Sequence, residues 1–404
     1  MSTQERLETY GRLTSPALQR FRAAIGWDLL VARVDGPYLH DAAGRTYLDA
    51  HTGAGIANLG HRPAAVVAAL RRAARETDQG NFPMISSEKA ALGRDLAAFT
   101  AGGLPRVTYG VMRGEAMDFA CKLARGVTGR PRLLAAAGCA FGQTGFALAL
   151  SSLSHREACG PLIPGCELHA LEDGALLRAI GPDTAAVFLE PIQAENHAAA
   201  PEPAAVQALA ARCREVGALL GIDETQTGFG RTGARFAWPG LGVSPDMVVL
   251  GEALGVGVFP IVATVYTDRL GAFLDAHPLI HLSTFGGADL GCVAARTALA
   301  TYEDQQPWVL AAQHGATLGQ HLAALVRPGG GVRSVSGRGL LWSLDLGTEA
   351  RAQAFCRALA AERVLAAPGQ VRPETVVLRP ALTLTDAVLE HLITACEHAA
   401  AAVD

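Results

Sequence analysis

Four short apolar runs narrow what this chain can fold into. They are "RLLAAA" (132–137), "AAVFLE" (185–190), "ALLGID" (218–223) and "MVVLGE" (247–252). Each ends in a polar residue or a small-residue turn and reads as a buried strand. Segments of helical periodicity alternate with them, among them "PAAVVAALRRAARE" (63–76) and "GEAMDFACKLARGV" (114–127). That alternation predicts an α/β fold built on a mainly parallel sheet covered on both faces. Ligands of such sheets lie beyond the carboxyl ends of the strands, where Glu190, Asp223 and Glu252 fall. Glu252 stands out, because no other charged residue lies between Leu250 and Pro260.

The flanks read differently. "VARVDGPYLHDAAGRTYLDA" (31–50) has turn signals at Asp35–Gly36 and near Gly44, which predict small antiparallel strands. A helix-rich stretch (292–325), two short strand-like segments and a helix over 386–402 predict a smaller α+β unit at the C-terminal end. The expected division is an N-terminal segment 1–50 packing with the small domain, a large α/β domain 51–290, and a small domain 291–404. A chain of 404 residues, 50% hydrophobic, can bury a sizeable core.

The net charge of -4 is spread along the chain, so no basic patch for nucleic acid and no polybasic membrane segment is expected. No apolar run reaches the roughly 18 residues of a membrane span. The N-terminus has no apolar signal core, so a cytoplasmic location is expected. The 8 cysteines form no CxxC pair and read as reduced and mostly buried, with no metal site. Of the 34 basic residues only Lys89 and Lys122 are lysine.

Segments at the predicted strand ends carry a constellation: "LEPIQAEN" (189–196), "DETQTGFGRTG" (223–233), Glu252, and "STFGGADLGC" (283–292). In this order they resemble the class III (ornithine- and ω-amino-acid-type) aminotransferases, pyridoxal-phosphate enzymes of the type I fold. The likeness covers nearly the whole chain. Its most specific motif is "DETQTGFGRTG", against a family pattern D-E-[VIA]-Q-[TS]-G-x-G-R-T-G. The resemblance implies a large domain around a seven-stranded sheet and a homodimer. Asp223 would pair with the cofactor's ring nitrogen, Gln226 would sit beside the ring hydroxyl, and Glu190 and Glu195 would position substrate. Thr284 would reach the cofactor phosphate of the neighbouring subunit. Arg379 is the nearest match to an arginine that clamps a substrate carboxylate, although "RPALTL" is two residues shorter than the family motif. His61, in "NLGHRP", would be structural, and His281 is a weaker candidate for lining the pocket.

The same resemblance exposes departures. The family has a lysine where this chain has Glu252, 29 residues after Asp223 (252 minus 223) with no gap needed. Without an ε-amine there is no internal Schiff base and no lysine to shuttle protons. The phosphate-holding turn S-G-[AST]-E-A reads Met112-Arg113-Gly114-Glu115-Ala116. The ring-stacking aromatic is replaced by Ala140, followed by Phe141, and Thr225 stands where an aliphatic residue covers the other ring face.

Three readings remain open at the level of sequence. In the first, the fold serves lysine-independent, cofactor-free chemistry on a small molecule, with Glu252 as general acid/base and Arg113 binding a substrate anion. In the second, pyridoxal or pyridoxamine phosphate binds non-covalently, with Arg113 on its phosphate. In the third, the chain is an inactive partner of an active aminotransferase.

Overall fold

The computed structural model describes residues 2–78, 84–100 and 103–404. A seven-stranded sheet runs in the order Arg106–Gly110, Val262–Tyr266, Met247–Leu250, Leu219–Asp223, Thr184–Leu189, Arg132–Ala136, Cys166–His169. Val262–Tyr266 is antiparallel to both neighbours, and the pairings from Met247–Leu250 to Cys166–His169 are parallel. Thr184–Leu189, Leu219–Asp223 and Met247–Leu250 are buried throughout. That burial explains their unbroken apolar runs: strands covered on both faces have no solvent side to alternate with.

Two small four-stranded sheets flank this layer. One joins Val31–Asp35, Tyr38–Asp41 and Thr46–Asp49 to Val364–Leu365, and the other orders Ser334–Arg338, Leu341–Asp345, Thr375–Leu378 and Ala367–Pro368. The first therefore ties the N-terminal segment to a strand more than 300 residues later, through Leu48↔Val364 and Asp49↔Leu365.

Two main cores form. The larger surrounds the seven-stranded sheet, and the smaller gathers Ile25 and Leu48 with Phe355, Leu359, Leu378 and Leu392. The helix Asp289–Gln305, assigned from sequence to the C-terminal unit, buries Cys292, Ala295, Ala298 and Tyr302 in the larger core. Its small residues let it lie close against helices Ala64–Ala73 and Ser87–Thr100. The smaller core takes up the chain from the next helix, Pro307–Ala324, with Ala311, Leu318 and Leu322. Arg231 bridges the two regions, donating to Asn58 Oδ1 at 2.6 Å, Leu340 O at 2.8 Å and Pro380 O at 2.5 Å. The cysteines are all free, and 6 of the 8 are buried. Among the described residues no helix is long and apolar enough to cross a membrane, and no cluster of side chains is arranged to hold a metal ion.

Candidate active site

Parallel register assembles the acids. Leu189 pairs with Ile222, and Asp223 with Val249. Glu190, Asp223 and Glu252 therefore emerge on adjacent strands at one edge of the sheet. Gly251 lets the last of these strands close in, since a Cβ there would stand 2.7 Å from Thr225 O. The helix Arg113–Thr128 starts opposite this edge and anchors itself through buried Met117, Phe119 and Ala120. Its N-cap, Met112, is 47% exposed and offers no side-chain cap.

Glu252 supplies the missing cap. Its Oε1 accepts the Arg113 backbone N–H at 2.8 Å. A carboxylate at a helix N-terminus satisfies an orphan donor and the helix dipole together, worth about 0.3–1 kcal/mol. The Arg113 side chain turns inward. Its Nη2 donates to Glu190 Oε1 at 3.0 Å, to Asp223 Oδ2 at 3.4 Å and to the Ala140 carbonyl. Burial works against its charge, but Asp223, Glu190, Glu252 and Glu195 more than compensate and raise its pKa. Sequence reasoning has this guanidinium facing an incoming anion. The structure instead pairs it with two buried carboxylates, because such groups are costly to leave without a counter-charge.

Glu190 also accepts the Ala140 N–H, at 2.9 Å. Burial pushes its pKa up to about 8, against the lowering effect of Arg113 and with a further upward push from Asp223. Asp223 Oδ1 accepts the Thr225 N–H at 2.7 Å. Phe141 is buried and donates its N–H to Ser151 Oγ at 2.8 Å. Gly114 packs against Thr144, whose Oγ1 would stand 2.5 Å from a Cβ placed there.

A second cluster lies alongside. Arg379 is 1% exposed, donates Nη1 to Glu195 Oε1 at 2.6 Å and also to Gln226 Oε1. Burial would raise the Glu195 pKa, and the Arg379 charge and hydrogen bond bring it below its usual value. His51, which the sequence did not single out, joins this cluster electrostatically. Burial, then Arg379, pushes its pKa down to about 4. It precedes a left-handed stretch at Thr52, Gly53 and Ala54 (φ 47°, 64° and 66°). Only the glycines of "HTGAG" advertise that stretch. A cavity of about 320 Å³ opens beside it, lined by Trp27, Asp49, His51 and Gly53 among others.

Thr284 is not brought to either cluster within its own chain. It is exposed, in the loop preceding Asp289–Gln305. His61 pairs with Asp49 Oδ2 at 2.8 Å. The His281 ring packs on Phe119, with centroids 4.9 Å apart. Glu224, within the most specific motif but not chosen from sequence, is buried and its pKa is pushed up to about 7; Trp238 N–H and the Thr227 hydroxyl donate to it.

These residues do not fit a pyridoxal-phosphate cofactor. Asp223, which by the resemblance would face the ring nitrogen, already has a cation, and the helix N–H that would face the phosphate already has an anion. The two lysines lie within helices Ser87–Thr100 and Arg113–Thr128, not at the strand ends.

The comparisons agree with the fold. The family model described as aminotransferase class-III matches residues 24–400. The chain is 33% identical over 399 residues to a putrescine aminotransferase of Pectobacterium atrosepticum, covering 95% of this chain and 85% of that one. It is 40% identical over 296 residues to an uncharacterized aminotransferase of Archaeoglobus fulgidus, covering 73% of this chain and 70% of the other. The solved ornithine aminotransferase of Toxoplasma gondii ME49 superposes with a TM-score of 0.87 at 28% identity, over 93% of this chain and 91% of that one. From its first strand to its last helix, this chain belongs to the class III aminotransferase family.

Proposed function

We propose that this family member does not transaminate through a lysine-bound cofactor, but performs cofactor-independent acid–base chemistry on a small amine, amino acid or carbonyl compound. One observation carries the reading: the Arg113 guanidinium rests on Asp223 and Glu190 while its backbone N–H is held by Glu252. The opposite charges that the family's cofactor brings are thus supplied by the chain. The resemblance adds that Glu252 takes the lysine's place. Similarity to putrescine and ornithine aminotransferases favours a substrate bearing an amino group.

In this reading Glu252 is the general acid/base. It is half-buried, so a substrate can reach it. Acid–base help of this kind is worth roughly 10²–10⁴-fold. Glu190 is a nearby proton store, and the cavity lined by His51 receives the substrate, while Arg379 stays paired with Glu195 and Gln226. The protein would act as a cytoplasmic homodimer.

The test is deuterium incorporation. Wild-type protein, with no cofactor added, is incubated in D2O with a panel of amino acids, diamines and keto acids, and carbon-bound deuterium is read by mass spectrometry. We expect exchange on at least one substrate and its loss by about 100-fold or more in Glu252→Gln. Exchange unaffected by that substitution, or transamination that appears when pyridoxal phosphate is added, defeats the reading.

A second reading, a non-catalytic partner subunit, is favoured by one observation. Leu279, Ile280, Leu282 and Phe285, around Thr284, are exposed apolar residues. Absence of exchange on every substrate, together with a stable complex with an active class III chain, would favour it.

A further inference from the structure

We infer that this chain carries its own stand-in for the family's cofactor: Arg113 takes the cation's place opposite Asp223, Glu252 takes the anion's place at the helix N-terminus, and together they bar pyridoxal and pyridoxamine phosphate. The inference rests on the proposed cofactor-free function and names the residues that enforce it.

A helix N-terminus attracts phosphate through its free N–H groups and its dipole. At Arg113–Thr128 the Arg113 N–H is already given to Glu252 Oε1 at 2.8 Å. An arriving phosphate would meet that carboxylate and gain little from the helix. At the other end of the ligand, a protonated ring nitrogen needs Asp223. Both oxygens of Asp223 are engaged, Oδ1 by Thr225 N–H at 2.7 Å and Oδ2 by Arg113 at 3.4 Å. The ring would face a guanidinium of its own sign.

Space argues the same way. The guanidinium also donates to Glu190 and to the Ala140 carbonyl, so it lies across the place where the ring would stack. Moving it out would leave buried Asp223 without its counter-charge, which is costly.

Unpaired atoms show what the site would otherwise hold. Arg113 Nε, Thr144 Oγ1, Thr225 Oγ1 and Gln226 Nε2 are buried and have no hydrogen-bond partner. Buried polar atoms are normally paired. Thr144 lies against Gly114 at the helix start and Thr225 beside Asp223, so two of these unpaired atoms border the Arg113–Asp223 pair, while Gln226 lies with Arg379. Removing Arg113 should therefore free Asp223 for a protonated ring nitrogen, while Glu252 still weakens the hold on a phosphate.

The test is equilibrium binding of pyridoxamine phosphate, chosen because it needs no lysine, read by absorbance after desalting and by calorimetry. Full-length wild type is compared with Arg113→Gly, the residue of the family's turn, and with Arg113→Lys. Melting curves establish that each variant is folded. Arg113→Gly/Glu190→Gln also replaces the neighbouring carboxyl group that Arg113 held, in case the single variant does not fold. Glu252→Gln alters only a half-buried side chain and covers failure of both.

We expect no saturable binding to wild type or Arg113→Lys. We expect binding at least about tenfold tighter in Arg113→Gly or its double variant, and a smaller gain in Glu252→Gln. Saturable binding to the wild type overturns the inference, as do folded variants that bind no better than wild type. Either failure leaves deuterium exchange by the wild type as it stands, and a lack of exchange leaves the binding result readable.

Discussion

Glu190 and Asp223 sit side by side on neighbouring strands, and one guanidinium faces both. At the scale of residues this sharing has a consequence for pH. Burial raises the Glu190 pKa from 4.5 to about 8. A carboxyl group with a raised folded-state pKa binds its proton more tightly when folded. Its contribution to stability is fully present below its unfolded value and is lost as pH rises through about 8. The melting temperature should therefore fall between about pH 5 and pH 8, and Glu190→Gln, which cannot titrate, should flatten that slope. A slope that survives the substitution unchanged would place the titrating group elsewhere. The acids themselves were visible in the sequence as strand-end residues. The partner of Asp223 and Glu190 was not, because Arg113 is 77 residues from one and 110 from the other. Nothing local says which way a long, flexible side chain turns.

At the scale of elements, the helix Arg113–Thr128 depends on the turn that follows the next strand. Gly142 has φ 131°, and a Cβ there would lie 2.9 Å from the Gly114 Cα. Its left-handed backbone and close approach hold the helix start against the loop carrying Ala140. Gly142→Ala should cost about 1–3 kcal/mol in chemical denaturation. It should also weaken whatever the site binds, since Ala140 and Arg113 would separate. A melting curve equal to wild type would show that the turn relaxes without strain. The strands of the central sheet were legible because burial on both faces makes them short and wholly apolar. The left-handed stretch at 52–54 was not, since two of its three residues, Thr52 and Ala54, are types that seldom take positive φ.

For the whole molecule, the exposed loop before Asp289–Gln305 matters most. Leu279 is 77% exposed, Leu282 58% and Phe285 51%. We propose that a second copy of the chain covers them, in keeping with the dimers expected of this family. Sedimentation should give a dimer for wild type, and Leu282→Glu/Phe285→Glu should shift it to monomer without loss of the central fold. A wild-type monomer at working concentration would remove the homodimer from the reading. Assembly at this face would also say whether Thr284, exposed in the single chain, reaches another subunit's site.

The family motif and the alternating strands and helices determined the α/β fold and the edge of the sheet where chemistry is placed, because periodic burial and strand-end motifs are local and leave a direct mark on residue order. The same residues pointed, through the resemblance alone, to departures from the family at Arg113, Ala140, Thr225 and Glu252. Only the tertiary structure decided what the replacements do: that Glu252 caps the helix at Arg113, that Arg113 faces inward, and that helix Asp289–Gln305 packs with the larger core. These outcomes are set by which buried charges meet across long stretches of chain. Desolvation makes each such charge costly until its partner is in place, and residue order does not record that pairing.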